Sequence, residues 1–207
     1  MEPLIIAGAG GFGRETLDVA EAQGFHDFLG FVDDTPPPVG LLERRGAAYL
    51  GAIETAQQAD AGYVVGIGDP DTRYRVAELL DGWGLRAVTL VHPDASIGAD
   101  VELGAGVVVT AGVRITTNVR IGRHSHLNLN STVGHDTVIG EFVSIAPGAL
   151  ISGNVTIEDG VYIGTGASIN QGLTVGSRAV VGAAAAVVRH VEGGTTVVGV
   201  PATALAP

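Results

Sequence analysis

From Ile97 onward the chain places a branched aliphatic residue at every sixth position: Ile97, Leu103, Val109, Ile115, Ile121, Leu127, Val133, Ile139, Ile145, Ile151, Ile157, Ile163, Ile169, Val175, Val181 and Val187. A helix repeats every 3.6 residues and a flat strand every two, so a strict period of six belongs to neither. It fits a short strand followed by a turn, many times over. The position after each aliphatic is usually small or turn-forming, as at Gly98, Gly104, Gly122, Gly134, Gly140 and Gly164. The fourth position after it is usually small or β-branched, as at Val101, Val107, Ser125, Ser131, Ala149 and Ala167. The pattern predicts a parallel β-helix whose aliphatics point inward and stack on their equivalents one coil away. No hexad is interrupted, so no long loop is expected to leave the coils between Ile97 and Glu192.

Upstream the pattern is that of an α/β unit. Leu4–Ala7 reads as a short buried strand, which enters Gly8-Ala9-Gly10-Gly11-Phe12-Gly13 and then a helical stretch over Arg14 to Gln23. Further strands are expected over Phe28 to Val32, Tyr63 to Ile67 and Arg86 to Leu90, with a helix from about Asp71 to Leu80. Thr35 to Gly40, with three consecutive prolines, reads as a surface loop. The division expected is a Rossmann-like domain over 1–92 and a β-helix domain over 93–207, with His92-Pro93 at the boundary.

Gly8, Gly10 and Gly13 satisfy G-x-G-x-x-G between a strand and a helix, the context in which backbone can approach a phosphate at a helix N-terminus. Asp33 and Asp34, about twenty residues on, are placed to accept from a ribose or a base. Alone the motif points to a nicotinamide cofactor or to a plain tight turn. About ninety residues supply only half a dinucleotide fold, however, so a mononucleotide or nucleotide-sugar fits better. Among the histidines, His135 stands beside Asp136, a carboxylate able to fix its tautomer and raise its basicity, as a general base requires; the bland alternative is a polar turn. His92 reads as a structural hydrogen-bonder, and His26 and His190 as solvated. His124 and His126 are candidate metal ligands, but their spacing with His135 does not favour zinc, and no metal is expected.

Composition narrows the chemistry. There is no cysteine, which removes disulfides and thiolates, and all eleven basic residues are arginine, which removes lysine Schiff bases. No G-x-S-x-G elbow is present. A formal net charge of −11 argues against a nucleic-acid partner. No apolar run approaches the roughly eighteen residues of a membrane span. Met1 to Ala7 lacks the features of a signal peptide, so cytoplasmic residence is the expectation.

The strand-GxGGFG-helix opening, the Asp33-Asp34 pair after Gly30-Phe31-Val32, the segment from Val133 to Phe142 and the terminal Gly199-Val200-Pro201-Ala202 together resemble the bacterial sugar acetyltransferases of the PglD and NeuD type. The resemblance spans nearly the whole chain. It implies a left-handed β-helix with three hexads to a coil, an N-terminal domain that holds a nucleotide-linked amino sugar, acetyl-CoA along the prism, and a homotrimer with sites between subunits. It further implies His135 as base with Asp136 as its partner; Gly10, Gly11, Phe12, Asp33, Asp34, Gly68 and Arg73 along the nucleotide-sugar; and Ser144, Gly153, Thr165 and Ala183 along acetyl-CoA. Members commonly carry histidine where this chain has Phe12 and Ser144. His126, eighteen residues before Ser144, is expected to stand in for the second of these. The implied activity is N-acetylation of a nucleotide-linked amino sugar. The alternatives are O-acetylation of a sugar hydroxyl, a trimeric zinc hydratase, and a non-catalytic nucleotide-sugar scaffold.

Overall fold

The computed structural model describes residues 3–25, 27–38 and 40–205; His26 lies outside them. Leu4–Ala7 (β1) is buried throughout, as an unbroken apolar run should be in the middle of a parallel sheet. It lies between Phe28–Val32 (β2) and Gly62–Val65 (β4). Tyr49–Gly51 (β3) and Arg86–Ala87 (β5) complete five parallel strands in the order β3-β2-β1-β4-β5. The first helix, α1 (Gly11–Ala22), begins three residues before the expected Arg14, so that Gly11–Gly13 form its first turn. The second, α2 (Pro70–Gly82), is started by Asp69, whose carboxylate accepts from the Thr72 N–H at 2.8 Å, and by Pro70 at a position that needs no N–H.

The hexads wind into a left-handed parallel β-helix with three faces. Residues eighteen apart pair in register, as in Ile97↔Ile115↔Val133, so three hexads make one coil. Face 1 runs through Ile97, Ile115, Val133, Ile151, Ile169 and Val187, face 2 through Leu103, Ile121, Ile139, Ile157 and Val175, and face 3 through Val91, Val109, Leu127, Ile145, Ile163 and Val181. The aliphatics and the residues four positions after them form a continuous interior. Only the end of the column is open, where Ile97 is 38% exposed.

One expectation is corrected here. The strand expected over Arg86 to Leu90 divides: Arg86–Ala87 closes the N-terminal sheet, whereas Leu90–Val91 pairs with Val108–Val109 and opens face 3, two residues before His92-Pro93. The left-handed turn residue does not follow the aliphatic directly. It falls three positions after it, at Asp100, Asn118, His124, Asn130, Asp136, Phe142 and Asn154, with φ between 54° and 59°. Glycine directly after the aliphatic has another cause, because the next coil passes too close: a Cβ on Gly122 would stand 2.5 Å from the carbonyl carbon of Gly140.

Candidate active site

The carboxyl ends of β1 and β4 diverge at the point where the strand order reverses, the usual place for a ligand on an open α/β sheet. A cleft of about 460 Å³ opens there, lined by Gly8, Gly10, Gly11, Phe12, Asp33 and Gly68. Arg14 and the prolines Pro36, Pro37 and Pro38 line it as well, so the segment read as a surface loop forms a wall of the cleft. Close packing explains two of the glycines: a Cβ on Gly13 would lie 1.9 Å from the Gly8 carbonyl oxygen, and one on Gly66 would lie 2.6 Å from Gly13 Cα. The N-terminus of α1 has no side-chain cap, so no side chain satisfies its first amides, which lie beside the cleft lining at Gly10, Gly11 and Phe12. Asp33 ties the walls together, accepting from the Ala9 N–H and the Thr35 N–H at 2.8 Å each. Asp34 diverges from it and accepts from the Ile53 N–H at 3.0 Å, away from the cleft lining.

Arg73 and Ser144, expected along the nucleotide-sugar and acetyl-CoA respectively, instead meet each other where α2 docks on the prism. The Arg73 guanidinium is fully buried and donates to the carbonyls of His124 (2.7 Å), Ile67 (2.8 Å), Gly68 (3.0 Å) and Phe142 (2.8 Å) and to Ser144 Oγ (2.9 Å). Five N–H groups are thereby used, and none is left for a phosphate. Burial without a carboxylate in contact brings its pKa down to about 9, although Asp69 nearby works the other way. Ser144 donates in turn to the Gly68 carbonyl at 2.7 Å, so a prism residue holds the floor of the cleft.

His126 pairs in register with Ser144 on face 3 but is 1% exposed, with the Phe12 ring 4.7 Å from its own. Burial first, then Arg73, push its pKa well down. His126, expected to stand in for the family histidine, is thus placed under the N-terminal unit, against Phe12 of α1. His124 is stacked between Tyr63 and Phe142, also held neutral by burial, with a pKa lowered to about 4. Around this stack Arg123 reaches Glu78 (2.7 Å), Asp81 (3.0 Å) and Glu141 (2.9 Å). His92 accepts from the Asp94 N–H and His190 from the Thr174 N–H, each at 3.0 Å. Among the described residues no group of three or more histidine, cysteine or acidic side chains is placed to hold a metal ion.

His135 and Asp136 occupy the corner between faces 1 and 2. Nδ1 of His135 lies 2.7 Å from Asp136 Oδ2, and both side chains are about half exposed. Asp136 also accepts from the Asn118 side-chain amide at 2.6 Å, and this bond, followed by the one to His135, holds its pKa below the usual range. The imidazole lies over Gly153, where an added Cβ would come 2.6 Å from Nε2. Gly153 thus makes room for the ring. Asn118 escaped the sequence reading, although its position eighteen residues before Asp136, one full coil, was the available signal.

These parts do not all meet within one chain. The contacts that join the two units fall on face 3 and on the corner between faces 2 and 3, at His126, Ser144, Gly104, Arg123, Phe142 and the ion pair of Arg178 with Asp71. His135 and Gly153 stand on a different corner, and Thr165 and Ala183, both exposed, stand on the third.

The family described as PglD N-terminal domain matches residues 3–80. WeeI from Acinetobacter baumannii AYE is 32% identical, with 99% of this chain and 100% of that one covered and a TM-score of 0.91. The acetyltransferase domain of PglB from Neisseria gonorrhoeae is likewise 32% identical over 99% and 100% of the two chains, with a TM-score of 0.92. The chain belongs to the PglD-type sugar acetyltransferases. Perosamine N-acetyltransferase from Caulobacter crescentus, solved with CoA and GDP-perosamine, matches at 27% identity over 100% of this chain and 98% of that one, with a TM-score of 0.91. No protein of curated function matches the sequence. Among the described residues no helix is long and apolar enough to cross a membrane.

Proposed function

We propose that the protein transfers the acetyl group of acetyl-CoA to the amine of a nucleotide-linked amino sugar, with His135 as general base. The observation that carries this reading is the His135–Asp136 pair. A carboxylate only accepts, so the proton of the imidazole sits on Nδ1 and the lone pair on Nε2 is free. As the neutral amine nitrogen attacks the thioester carbonyl, Nε2 takes its proton and Asp136 stabilises the imidazolium formed. The carbon–sulfur bond then breaks, the amide forms, and the proton passes to the departing thiolate of CoA.

The cleft at β1 and β4 suits the nucleotide. The diphosphate sits at the α1 N-terminus near Arg14, the ribose near Asp33, and the base against the proline wall. Because His135 stands on a corner remote from this cleft, we read the site as shared between copies of a homotrimer, one copy giving the cleft and its neighbour the base. Gly153 beside His135, with Thr165 and Ala183 from the facing corner, then flank the acetyl-CoA. The donor and acceptor are both metabolites of the cytoplasm, which is where the protein is placed on this reading.

The test is release of free thiol from acetyl-CoA with UDP-, dTDP- and GDP-linked amino sugars, with hydroxylated counterparts alongside. Turnover with at least one amino sugar and none with the matched hydroxyl sugar is the expected result. Turnover with the hydroxyl sugar alone would replace N-acetylation by O-acetylation, and binding without turnover would leave a scaffold.

A further inference from the structure

Asn118 occupies the same corner position as Asp136 one coil below, in the same left-handed conformation, with φ of 57° against 59°. Parallel coils stack equivalent side chains about 4.8 Å apart, so an amide in the lower position points its N–H₂ at the carboxylate above. The bond measures 2.6 Å and lands on Oδ1, while Oδ2 faces His135 Nδ1 at 2.7 Å. Each oxygen thus has one partner, and the plane of the carboxylate is set by two points. Both members of the dyad are about half exposed, and the corner position one coil above Asp136 is taken by Asn154, also left-handed with φ of 54°, whose N–H donates to the His135 carbonyl at 2.7 Å. The carboxylate is held by the amide below and the imidazole beside it.

We propose that Asn118 is a positioning residue for acetyl transfer: its side-chain amide orients Asp136, and through Asp136 the His135 imidazole, toward the reacting amine. The inference rests on the dyad reading above and adds a third member to it. The three form a relay along one corner, Asn118 to Asp136 to His135, closed on the far side by Gly153 in the coil above, against the ring. Asn118 touches neither substrate, so its removal acts on turnover rather than on binding. A purely structural role, that of satisfying a coil corner, would lower stability and leave kcat intact.

The experiment is a double-mutant cycle on the full-length protein, measuring kcat and KM for both substrates. Asn118→Gly removes the amide while keeping a residue at ease with positive φ, and Asp136→Asn removes the carboxylate charge. Asn118→Gly should lower kcat about tenfold, the loss expected for one hydrogen bond to a charged group, with both KM values within about twofold. In the Asp136→Asn background the same change should cost less than about twofold, because the charged acceptor that Asn118 orients is gone and only a neutral bond remains to lose. An unchanged kcat in a folded Asn118→Gly protein, or an equal loss in both backgrounds, would overturn the proposal while leaving the dyad standing. Wild-type kcat in Asp136→Asn would instead remove the dyad, and the role of Asn118 with it.

Discussion

Arg73 Nη2 lies 2.9 Å from Ser144 Oγ, and this bond crosses from the α/β unit to the prism at the floor of the nucleotide cleft. The guanidinium meets carbonyls and a hydroxyl but no carboxylate. A buried cation held in this way is a geometric device, in which a planar fork of donors collects acceptors from the loop between β4 and α2 and from two coils of the prism.

The two residues should therefore behave as joints of the structure. Arg73→Met leaves several buried carbonyls without donors and should destabilise the protein by about 3 kcal/mol in a denaturant titration. Ser144→Ala should cost about 1 kcal/mol while changing kcat less than about threefold. A large kcat loss in a stable Ser144→Ala protein would return Ser144 to the thioester.

Gly153→Ala separates activity from stability in the opposite sense. The atoms nearest the new methyl would be those at the far end of the His135 side chain, which can swing outward. Thermal stability should be nearly unchanged, while displacement of the ring by about 1 Å should lower kcat roughly a hundredfold.

The buried His124 predicts acid sensitivity. Its pKa is about 4 in the fold and 6.5 when unfolded, because burial among Tyr63, Phe142 and Arg73 outweighs the pull of Asp81 and Glu78. Between these values the unfolded chain binds a proton that the folded one refuses, so stability falls as the pH drops from 6.5 to 4, by on the order of 3 kcal/mol. His126 is shifted in the same direction and adds to the loss. His124→Asn, which tolerates the positive φ, should flatten this slope in urea titrations at a series of pH values.

A site shared between copies predicts complementation. Gly11→Trp would fill the cleft and leave the His135 corner intact, whereas His135→Ala would do the reverse. Each variant alone should be inactive. Trimers assembled from an equal mixture should recover about a quarter of wild-type activity, the fraction of neighbour pairs that join a sound cleft to a sound base. Failure to recover any activity would place both halves of the site on one chain.

The coils were legible because their period is written directly in residues: a branched aliphatic every six positions leaves the chain one way to bury them all. The glycine loop and the His135–Asp136 pair were legible for a similar reason, since each is a local motif. The docking of the two units was not. Val108, His126 and Ser144 occupy outward positions on face 3 that resemble any other outward positions, and only the sheet lying over them makes them buried. Arg73, Ser144 and His126, expected along the substrates from the resemblance, therefore lie where the two units dock. Tyr49–Gly51 was missed because three residues at a sheet edge, one of them an exposed tyrosine, carry no alternation to read.

The most direct test of the whole account is the turnover of His135→Ala, followed as thiol release from acetyl-CoA with the best nucleotide-linked amino sugar, on protein shown by circular dichroism and size to be folded and assembled. The account predicts a fall in kcat of roughly a thousandfold with little change in either KM. A folded His135→Ala protein that keeps near wild-type kcat would contradict it.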